Sequence, residues 1–330
     1  MGRGRCERQV MRQRLERHQA WVYLTAILLG LALGSAATGP AQRLEALVWP
    51  LLAVLLYATF TQVPLTRLPS ALRDGRFVVG VLVGNFLLLP LVVWALLPLV
   101  GTDTAVRTGV LLVLLVPCTD WFLTFTHLAG GDTRRAIAIT PMNLLVQLLL
   151  LPLYLWLFLG EAFLEAVATT RAVTALTTLI LLPLAAAWGT QALAARRQRT
   201  ETVVARLGAL PVPLLAAVVF SIGASQVSVV LDAGAALGRL VLVYVVFLVV
   251  AGALGLALAR LLGLQPGAAR ALVFSMGTRN SFVVLPIALA LPAGFEIAVV
   301  VVVLQSLVEL FGMVAYLRIV PRLTRRAAAA

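Results

Sequence analysis

Apolar runs close to 20 residues long recur throughout this 330-residue chain, with charged or turn-forming connections between them. A run of that length spans the hydrocarbon core of a bilayer as a helix. Since every backbone polar group must be satisfied inside lipid, and the alternating pattern of a β-barrel is absent, the sequence predicts an all-α integral membrane protein. Only 12% of the residues are charged, against about a quarter in soluble domains. We predict ten transmembrane helices, at about 21–39, 45–63, 77–100, 107–129, 136–159, 171–193, 206–226, 238–262, 269–292 and 297–319.

The basic residues, which are all arginine, predict the topology. With the N-terminus in the cytoplasm, 21 of the 26 fall in cytoplasmic segments, 4 fall on the opposite side and Arg279 lies within the membrane. This bias follows the positive-inside rule, so we expect a multi-pass protein of the plasma membrane with both termini in the cytoplasm. The net charge of +13 is thereby explained by topology, and no nucleic-acid partner is expected.

Ten spans divide into five plus five, and an odd-numbered repeat re-enters the membrane upside down. We therefore predict a cytoplasmic basic tail at 1–20, a first five-helix repeat at 21–160, a second, inverted repeat at 161–320 and a cytoplasmic tail at 321–330. Many secondary transporters use inverted repeats for alternating access.

The fourth and ninth spans carry matching interruptions. Pro117 is followed by a polar Cys-Thr-Asp triplet, and Gly277 by a polar Thr-Arg-Asn-Ser stretch. Proline removes a helix hydrogen bond and glycine loosens a helix, so we expect both helices to be broken at mid-membrane and to cross there. Interrupted segments in corresponding spans point to a transporter's binding site.

Three ionisable residues lie inside the predicted spans. Aligning the two breaks places Asp120 opposite Arg279, which predicts an ion pair that is either permanent or opened by substrate or a proton. Glu309, in the tenth span, has no charged neighbour on its helix within the membrane. A buried acid of this kind suits a proton carrier, although it could also hydrogen-bond a neighbouring helix.

Cys118 is the only cysteine outside the N-terminal tail. It is either an inert small side chain or, beside a helix break, a soft nucleophile or ligand. His127 is read as a structural histidine. The other polar side chains that could line the crossing are Asn143 and Gln147 on the fifth span and Thr278 and Ser281 on the ninth.

The chain resembles the bile acid:sodium symporter superfamily and, within it, the arsenite efflux permeases. Residues 116–119 (Val-Pro-Cys-Thr) look like the permeases' fourth-span motif, and Leu307-Val308-Glu309 looks like their last-span motif. Asn143 falls at their fifth-span asparagine, and residues 280–282 (Asn-Ser-Phe) resemble their ninth-span Asn-Asn-Phe. The resemblance implies ten spans in two inverted repeats and functional roles for Cys118 and Glu309.

The sequence also departs from both branches of that superfamily. The permeases carry neither an acid at the position of Asp120 nor a base at that of Arg279, and their ninth-span glutamate is Val283 here. Relative to the sodium-coupled branch, Arg279 replaces a sodium-binding glutamine and Ser275 a sodium-binding glutamate. A guanidinium repels Na⁺ and offers it no acceptor, so sodium coupling of that type is not expected.

The resulting hypothesis is a secondary transporter that exports arsenite, and antimonite by the same chemistry, in exchange for protons. Cys118 would contact As(III), with Thr119 and Asn280 completing the substrate site, while Glu309 and Asp120 would couple protons. The alternative cargo is a small organic anion, bile acid-like or a carboxylate, clamped by Arg279.

An enzyme is not expected. Nine residues of helix, roughly 13 Å at 1.5 Å per residue, would separate Cys118 from His127, which is too far for a nucleophile and its base. No cofactor is expected, and no ATP-binding motif occurs. The expected partners are the lipid bilayer and the transported solute, with no ATPase subunit in this chain.

Overall fold

All regular secondary structure in the described part of the chain is helical. The structure, a computed structural model, describes residues 3–37, 43–63, 74–160, 174, 176–196 and 198–326. In chain order the helices are α1 (Arg3–Ala36), α2 (Glu45–Phe60), α3 (Gly75–Val100), α4 (Thr104–Leu114), α5 (Trp121–Leu128), α6 (Thr133–Leu159), α7 (Leu182–Ala194), α8 (Gln198–Leu207), α9 (Pro211–Ser225), α10 (Val227–Asp232), α11 (Gly234–Leu261), α12 (Pro266–Gly277), α13 (Ser281–Leu289) and α14 (Glu296–Arg326).

Among the described residues, six helical stretches are long and apolar enough to cross a membrane. They are His18–Ala36, Gly75–Val100, Thr133–Leu159, Thr177–Ala194, Ala236–Leu261 and Glu296–Arg325. Large apolar side chains such as Leu149 and Leu261 are exposed on them, as expected for surfaces in lipid. The predictions of an all-α class and of a multi-pass membrane protein are therefore confirmed.

The other four predicted spans take a different form in the structure. Two of them correspond to the shorter apolar helices α2 and α9, and two are divided, into α4 with α5 and into α12 with α13. The divided spans contain Pro117 and Gly277, the two residues at which the sequence predicts a break.

Some predicted features lie outside the described residues. The predicted repeat boundary adjoins the undescribed stretch 161–173, and the outer ends of both predicted tails, 1–2 and 327–330, are also undescribed. The same holds for four arginines used in the topology count, Arg67, Arg73, Arg171 and Arg197.

The chain forms two compact units, each built from two separate stretches of sequence. The first unit comprises Met1–Gln62 and Ala175–Asp232, and the second comprises Val63–Thr174 and Ala233–Ala330. Each predicted repeat therefore contributes chain to both units.

In the first unit, α1 packs along α9 at very short range. An added Cβ at Gly30 would lie 2.2 Å from the carbonyl oxygen of Phe220, and one at Gly34 would lie 2.3 Å from that of Ala224. Only glycine fits at these two positions, which lie one turn apart. This is the small-residue spacing that lets membrane helices approach closely.

In the second unit, α14 packs against α4, α11, α12 and α13, and α11 also packs against α12. Three of its helices begin after an aspartate whose Oδ1 accepts the backbone N–H three residues later, which satisfies one of the free donors of the first turn. These caps are Asp74 for α3 (3.2 Å), Asp103 for α4 (2.9 Å) and Asp132 for α6 (3.1 Å).

A proline shapes both α3 and the stretch that leads into α7. A π-helical turn, Gly84–Leu88, interrupts α3 just before Pro90, and another, Leu176–Leu181, precedes Pro183 at the start of α7. Because proline lacks an N–H, the regular hydrogen-bond ladder is broken at each site and the preceding turn widens.

Two aspartates in the second unit share one arginine. Arg135 Nε donates to Asp74 Oδ2 (2.6 Å), and its Nη1 donates to Asp132 Oδ2 (2.5 Å). Burial acts to raise the pKa of both carboxyls, but the hydrogen bonds from Arg135 and from backbone N–H groups outweigh it and lower each pKa. The pairs therefore stabilise the folded chain above the ordinary carboxyl pKa, and this contribution is lost as the pH falls through the lowered values.

The loops that the arginine count assigns to the cytoplasm contact one another in the second unit. The Asp132 N–H donates to the Gly267 carbonyl oxygen (2.9 Å). Arg270 donates to the carbonyl oxygen of Gly130 (2.8 Å) and to Thr324 Oγ1 (3.0 Å). Together with the Asp74–Arg135 pair, these contacts join four segments on one side of this unit. They are the segments around Asp74 and Asp132, the start of α12 and the end of α14.

We expect the α1–α9 contact to be sensitive to a single methyl group. Gly30→Ala places its Cβ against the Phe220 carbonyl oxygen, so the helices must separate, at a cost of about 1–3 kcal/mol. Gly189→Ala is the control, because nothing lies within 4 Å of its Cβ and alanine is the better helix former. Thermal unfolding of the purified protein should show a lowered midpoint for Gly30→Ala alone. Equal midpoints for Gly30→Ala and the native protein would contradict the close packing.

Candidate functional site

Two helices of the second unit are interrupted deep inside it. Between α4 and α5 the chain leaves the helix from residue 115 to residue 120, and between α12 and α13 it does so from Thr278 to Asn280. Thr278 is fully extended, with φ −108° and ψ 141°. The segments are buried, so their freed backbone groups need protein partners.

The two interruptions satisfy each other through backbone hydrogen bonds. Pro117 and Arg279 form an antiparallel bridge. The Cys118 N–H donates to the Thr278 carbonyl oxygen (3.1 Å), and the Asn280 N–H donates to the Val116 carbonyl oxygen (2.8 Å). The broken segments predicted from the fourth and ninth spans therefore meet. We call residues 115–120 and 278–280 together the crossing.

Side chains reinforce the crossing. Asn280 Nδ2 donates to Thr119 Oγ1 (3.2 Å), while Asn280 Oδ1 accepts the Val283 N–H (3.3 Å) and caps α13. Trp121 and Phe282, at the starts of α5 and α13, meet edge to face with ring centroids 5.1 Å apart. Asn280 thus joins one break to the other and also starts the next helix.

Arg279 is the largest fully buried side chain described, with only 1% of its surface exposed. Its Nη2 donates to Asn85 Oδ1 on α3 (2.8 Å) and to two carbonyl oxygens of α12, those of Met276 (2.8 Å) and Ser275 (3.2 Å). Its Nη1 donates to the Leu114 carbonyl oxygen at the end of α4 (3.3 Å). We call these four oxygens the oxygen cradle.

Two further features complete the surroundings of the guanidinium. Its central carbon lies 5.5 Å from the centroid of the Phe247 ring, a distance at which a cation and an aromatic face attract. Its Nε has no hydrogen-bond partner among the described residues. The N–H of Nε and the second N–H of Nη1 therefore have no hydrogen-bond partner among the described residues, while Nη2 is fully engaged.

The hydrogen bonds of the Arg279 guanidinium lead to partners other than Asp120, the residue with which the sequence predicts a pair. Every hydrogen bond of the guanidinium goes to the oxygen cradle, whose members are uncharged. In the antiparallel bridge Arg279 lies opposite Pro117, and Asp120 comes three residues after Pro117 on its own segment. Asp120 immediately precedes α5 and is partly exposed.

Glu309 is the acid that reaches Arg279, and it binds the backbone rather than the guanidinium. Its Oε2 accepts the Arg279 N–H (2.8 Å) and Gln305 Nε2 (2.7 Å). Gln305 Oε1 in turn accepts the Ser281 hydroxyl (3.0 Å). Glu309 is fully buried, and its Oε1 has no partner among the described residues. The carboxylate thereby ties α14 to the crossing and keeps one oxygen available.

Cys118 lies inside the crossing with 2% of its surface exposed. Its Sγ accepts the N–H of Trp121 (3.3 Å), the first residue of α5, while its own backbone N–H donates to the Thr278 carbonyl oxygen. The thiol is thus placed at a helix N-terminus, where the helix dipole favours negative charge.

The remaining predicted residues are placed separately. Asn143 and Gln147 lie one turn apart on α6, are almost completely buried, and have no hydrogen-bond partner for either amide among the described residues. Thr278 Oγ1 donates to the Phe274 carbonyl oxygen in the last turn of α12 (2.8 Å). His127 is exposed in the last turn of α5.

Sequence reasoning missed two side chains at this site, Asn85 and Gln305. Asn85 is the one polar residue between Phe77 and Val100. A single polar side chain in a long apolar span could have indicated a site residue. Gln305 lies four residues before Glu309 on α14, the spacing at which helical side chains meet.

Comparison with known proteins gives one family. A sequence model described as the sodium bile acid symporter family matches residues 49–232, more than half of the chain. The matched residues include Cys118, Asn143 and Gln147, whereas Arg279 and Glu309 lie beyond them. No curated protein matches the sequence.

We expect Asn280 and Thr119 to be energetically coupled. Asn280→Ala removes a helix cap, worth about 1 kcal/mol, and a buried hydrogen bond of about the same size. Thr119→Val removes only the hydrogen bond, so it should destabilise the protein about half as much as Asn280→Ala. The double variant should be no less stable than Asn280→Ala alone, which unfolding measurements on the four proteins can check. Strict additivity of the two single effects would show that the contact contributes nothing.

Proposed function

The chain belongs to the sodium bile acid symporter family, whose members are membrane transporters and not enzymes, and from that premise we propose that it is a secondary transporter that exports arsenite in exchange for protons. Antimonite shares the chemistry and is the expected second substrate. We further propose that the protein lies in the plasma membrane with both termini in the cytoplasm. The contacts among the arginine-rich loops support this topology, since they gather on one side of the second unit.

The position of the Cys118 thiol is the observation that carries this proposal. As(III) is a soft centre that selects sulfur ligands. Condensation of the thiol with arsenous acid, As(OH)₃, forms one As–S bond and releases one water, and hydrolysis reverses it. A single sulfur allows the substrate to leave again. Thr119 and Asn280, which meet beside Cys118, would bind the remaining hydroxyls.

Glu309 is the proposed proton carrier. An acid buried in the membrane core is by default a functional group, and Oε1 of Glu309 is available to a proton or substrate. Its other oxygen, Oε2, accepts the Arg279 N–H, so a change in the charge of Glu309 changes the strength of a hydrogen bond to the crossing. Asp120, two residues after Cys118, is the second acid proposed to take part in coupling.

The proposed architecture is ten spans in two inverted five-helix repeats. Two observations support it: two broken helices meet at the crossing, and each predicted half supplies chain to both compact units. Rocking of such repeats around a fixed site would give alternating access without ATP.

A small organic anion is the rival cargo. The observation that favours it is that α5 and α13 both begin at the crossing, and helix N-termini attract anions. The predicted carboxylate clamp by Arg279 has less support, because Nη1 and Nη2 are already engaged by the oxygen cradle. Among the described residues, Nε and the second N–H of Nη1 are the donors left for an anion.

Everted membrane vesicles loaded to an acidic lumen test the proposal. We expect the native protein and Cys6→Ser, altered only in the N-terminal tail, to accumulate arsenite. Cys118→Ser should reduce uptake to background, because it removes the sulfur ligand. Glu309→Gln should bind arsenite but lose the dependence of uptake on the proton gradient.

Two results would overturn this proposal. Uptake of arsenite by Cys118→Ser equal to that of the native protein would exclude the metalloid mechanism. Uptake of a carboxylate but not of arsenite, abolished by Arg279→Gln, would establish the rival cargo.

A further inference from the structure

Two tyrosine hydroxyls in the second unit make the same contact at the same spacing. Tyr154 on α6 donates to the Phe86 carbonyl oxygen on α3, and Tyr316 on α14 donates to the Leu248 carbonyl oxygen on α11. Donor and acceptor are 68 residues apart in both bonds. Each member of the second bond follows its counterpart by 162 residues, from 86 to 248 and from 154 to 316. We call these two hydrogen bonds the tyrosine links.

The crossing repeats at the same offset. Its antiparallel bridge joins Pro117 to Arg279, which is 162 residues later. Cys118 and Asn280 are separated by the same number, and each accepts, with a side-chain atom, the backbone N–H three residues after it. The tyrosine links and the crossing therefore share one register between two stretches of the chain, and the two tyrosines occupy equivalent positions in that register.

The residue four positions after each acceptor explains why a tyrosine hydroxyl binds there. Pro90 follows Phe86 by four residues and has no N–H to donate to its carbonyl oxygen. Gly252 follows Leu248 by four residues, and an added Cβ there would lie 2.5 Å from the Tyr316 hydroxyl oxygen. Proline thus leaves one carbonyl without its helical donor, and glycine leaves space for a hydroxyl beside the other.

Each acceptor directly follows a residue that contacts the Arg279 guanidinium. Asn85, the residue before Phe86, accepts a hydrogen bond from Nη2 (2.8 Å). Phe247, the residue before Leu248, places its ring centroid 5.5 Å from the central guanidinium carbon. A hydrogen bond to the next carbonyl along the helix therefore restrains both side chains that α3 and α11 present to the guanidinium.

The tyrosines themselves lie on the helices that carry polar side chains of the fifth and tenth predicted spans. Gln147 precedes Tyr154 by seven residues and Glu309 precedes Tyr316 by seven, which is roughly two helical turns on one helix face. Glu309 Oε2 accepts the Arg279 N–H (2.8 Å). The link between α14 and α11 thus restrains the helix that brings this carboxylate to the crossing.

We propose that Tyr154 and Tyr316 are equivalent positioning residues, whose hydroxyls fix α3 against α6 and α11 against α14. They act through the residues next to the links, which hold Arg279 at the crossing. Loss of either hydroxyl lets one pair of helices shift, so the crossing opens more often and exposes the Cys118 thiol inside it. This inference rests on the proposed role of the crossing in transport, but its test requires no substrate.

The rate at which N-ethylmaleimide modifies Cys118 tests the proposal. The purified full-length protein in detergent carries Cys6→Ser, so that Cys118 is its sole cysteine, and is kept well below its unfolding midpoint so that global unfolding does not contribute. Tyr154→Phe and Tyr316→Phe should each raise the rate about fivefold, the factor by which the loss of one hydrogen bond favours a local opening.

A glycine substitution tests the same link by a second route. Gly252→Ala keeps Tyr316 but places a methyl group against its hydroxyl, so it should raise the rate as Tyr316→Phe does. Gly238→Ala, on the same helix with nothing within 4 Å of its Cβ, should leave the rate unchanged. Tyr57→Phe should also leave it unchanged, because that hydroxyl hydrogen-bonds Thr190 Oγ1 (2.8 Å) in the first unit.

Three outcomes would overturn the proposal. Rates equal to that of the parent protein in both tyrosine variants would show that the links do not restrain the crossing. An equal rise in Tyr57→Phe would show that any lost hydroxyl loosens the protein, and a rise in only one of the two tyrosine variants would show that they are not equivalent. If Tyr316→Phe does not fold, the rate of Gly252→Ala decides in its place. Loss of arsenite transport alone would bear on the proposed function and leave this test unaffected.

Discussion

Backbone groups freed inside a membrane must find partners, and in this protein two helix breaks supply them to each other. The hydrogen bonds between Cys118 and Thr278 and between Val116 and Asn280 fix the crossing of two broken spans. Everything else at the site depends on this pairing, since it sets which side chains face one another. An unpaired break at this depth would leave several polar groups unsatisfied, each costing several kcal/mol.

The buried charges are arranged around that pairing. Arg279 turns its guanidinium to carbonyl oxygens at the ends of α4 and α12, and Glu309 takes the backbone N–H of the same residue. Positive charge is thus placed at negative helix ends, while the thiol of Cys118 lies at the positive end of α5. The crossing therefore brings together a buried thiol, a buried guanidinium and a carboxylate oxygen that has no hydrogen-bond partner among the described residues.

The sequence was most informative where local chemistry decides the outcome. Apolar run length predicted the membrane helices, and the proline and glycine predicted where the fourth and ninth spans break. It did not indicate the oxygen partners of the Arg279 guanidinium, because an alignment of repeats says which residues would be equivalent, not which are close. The oxygen cradle was beyond prediction, since most of its members are backbone carbonyls that any residue supplies.

The central claim is that Cys118 lies at a site that opens to each side of the membrane in turn. Its most direct test is labelling with a membrane-impermeant thiol reagent in sealed right-side-out and everted vesicles, using Cys6→Ser so that Cys118 is the sole cysteine. The mechanism predicts labelling from both faces and protection by arsenite in both orientations. Labelling from one face only, or labelling that arsenite does not slow, would contradict it.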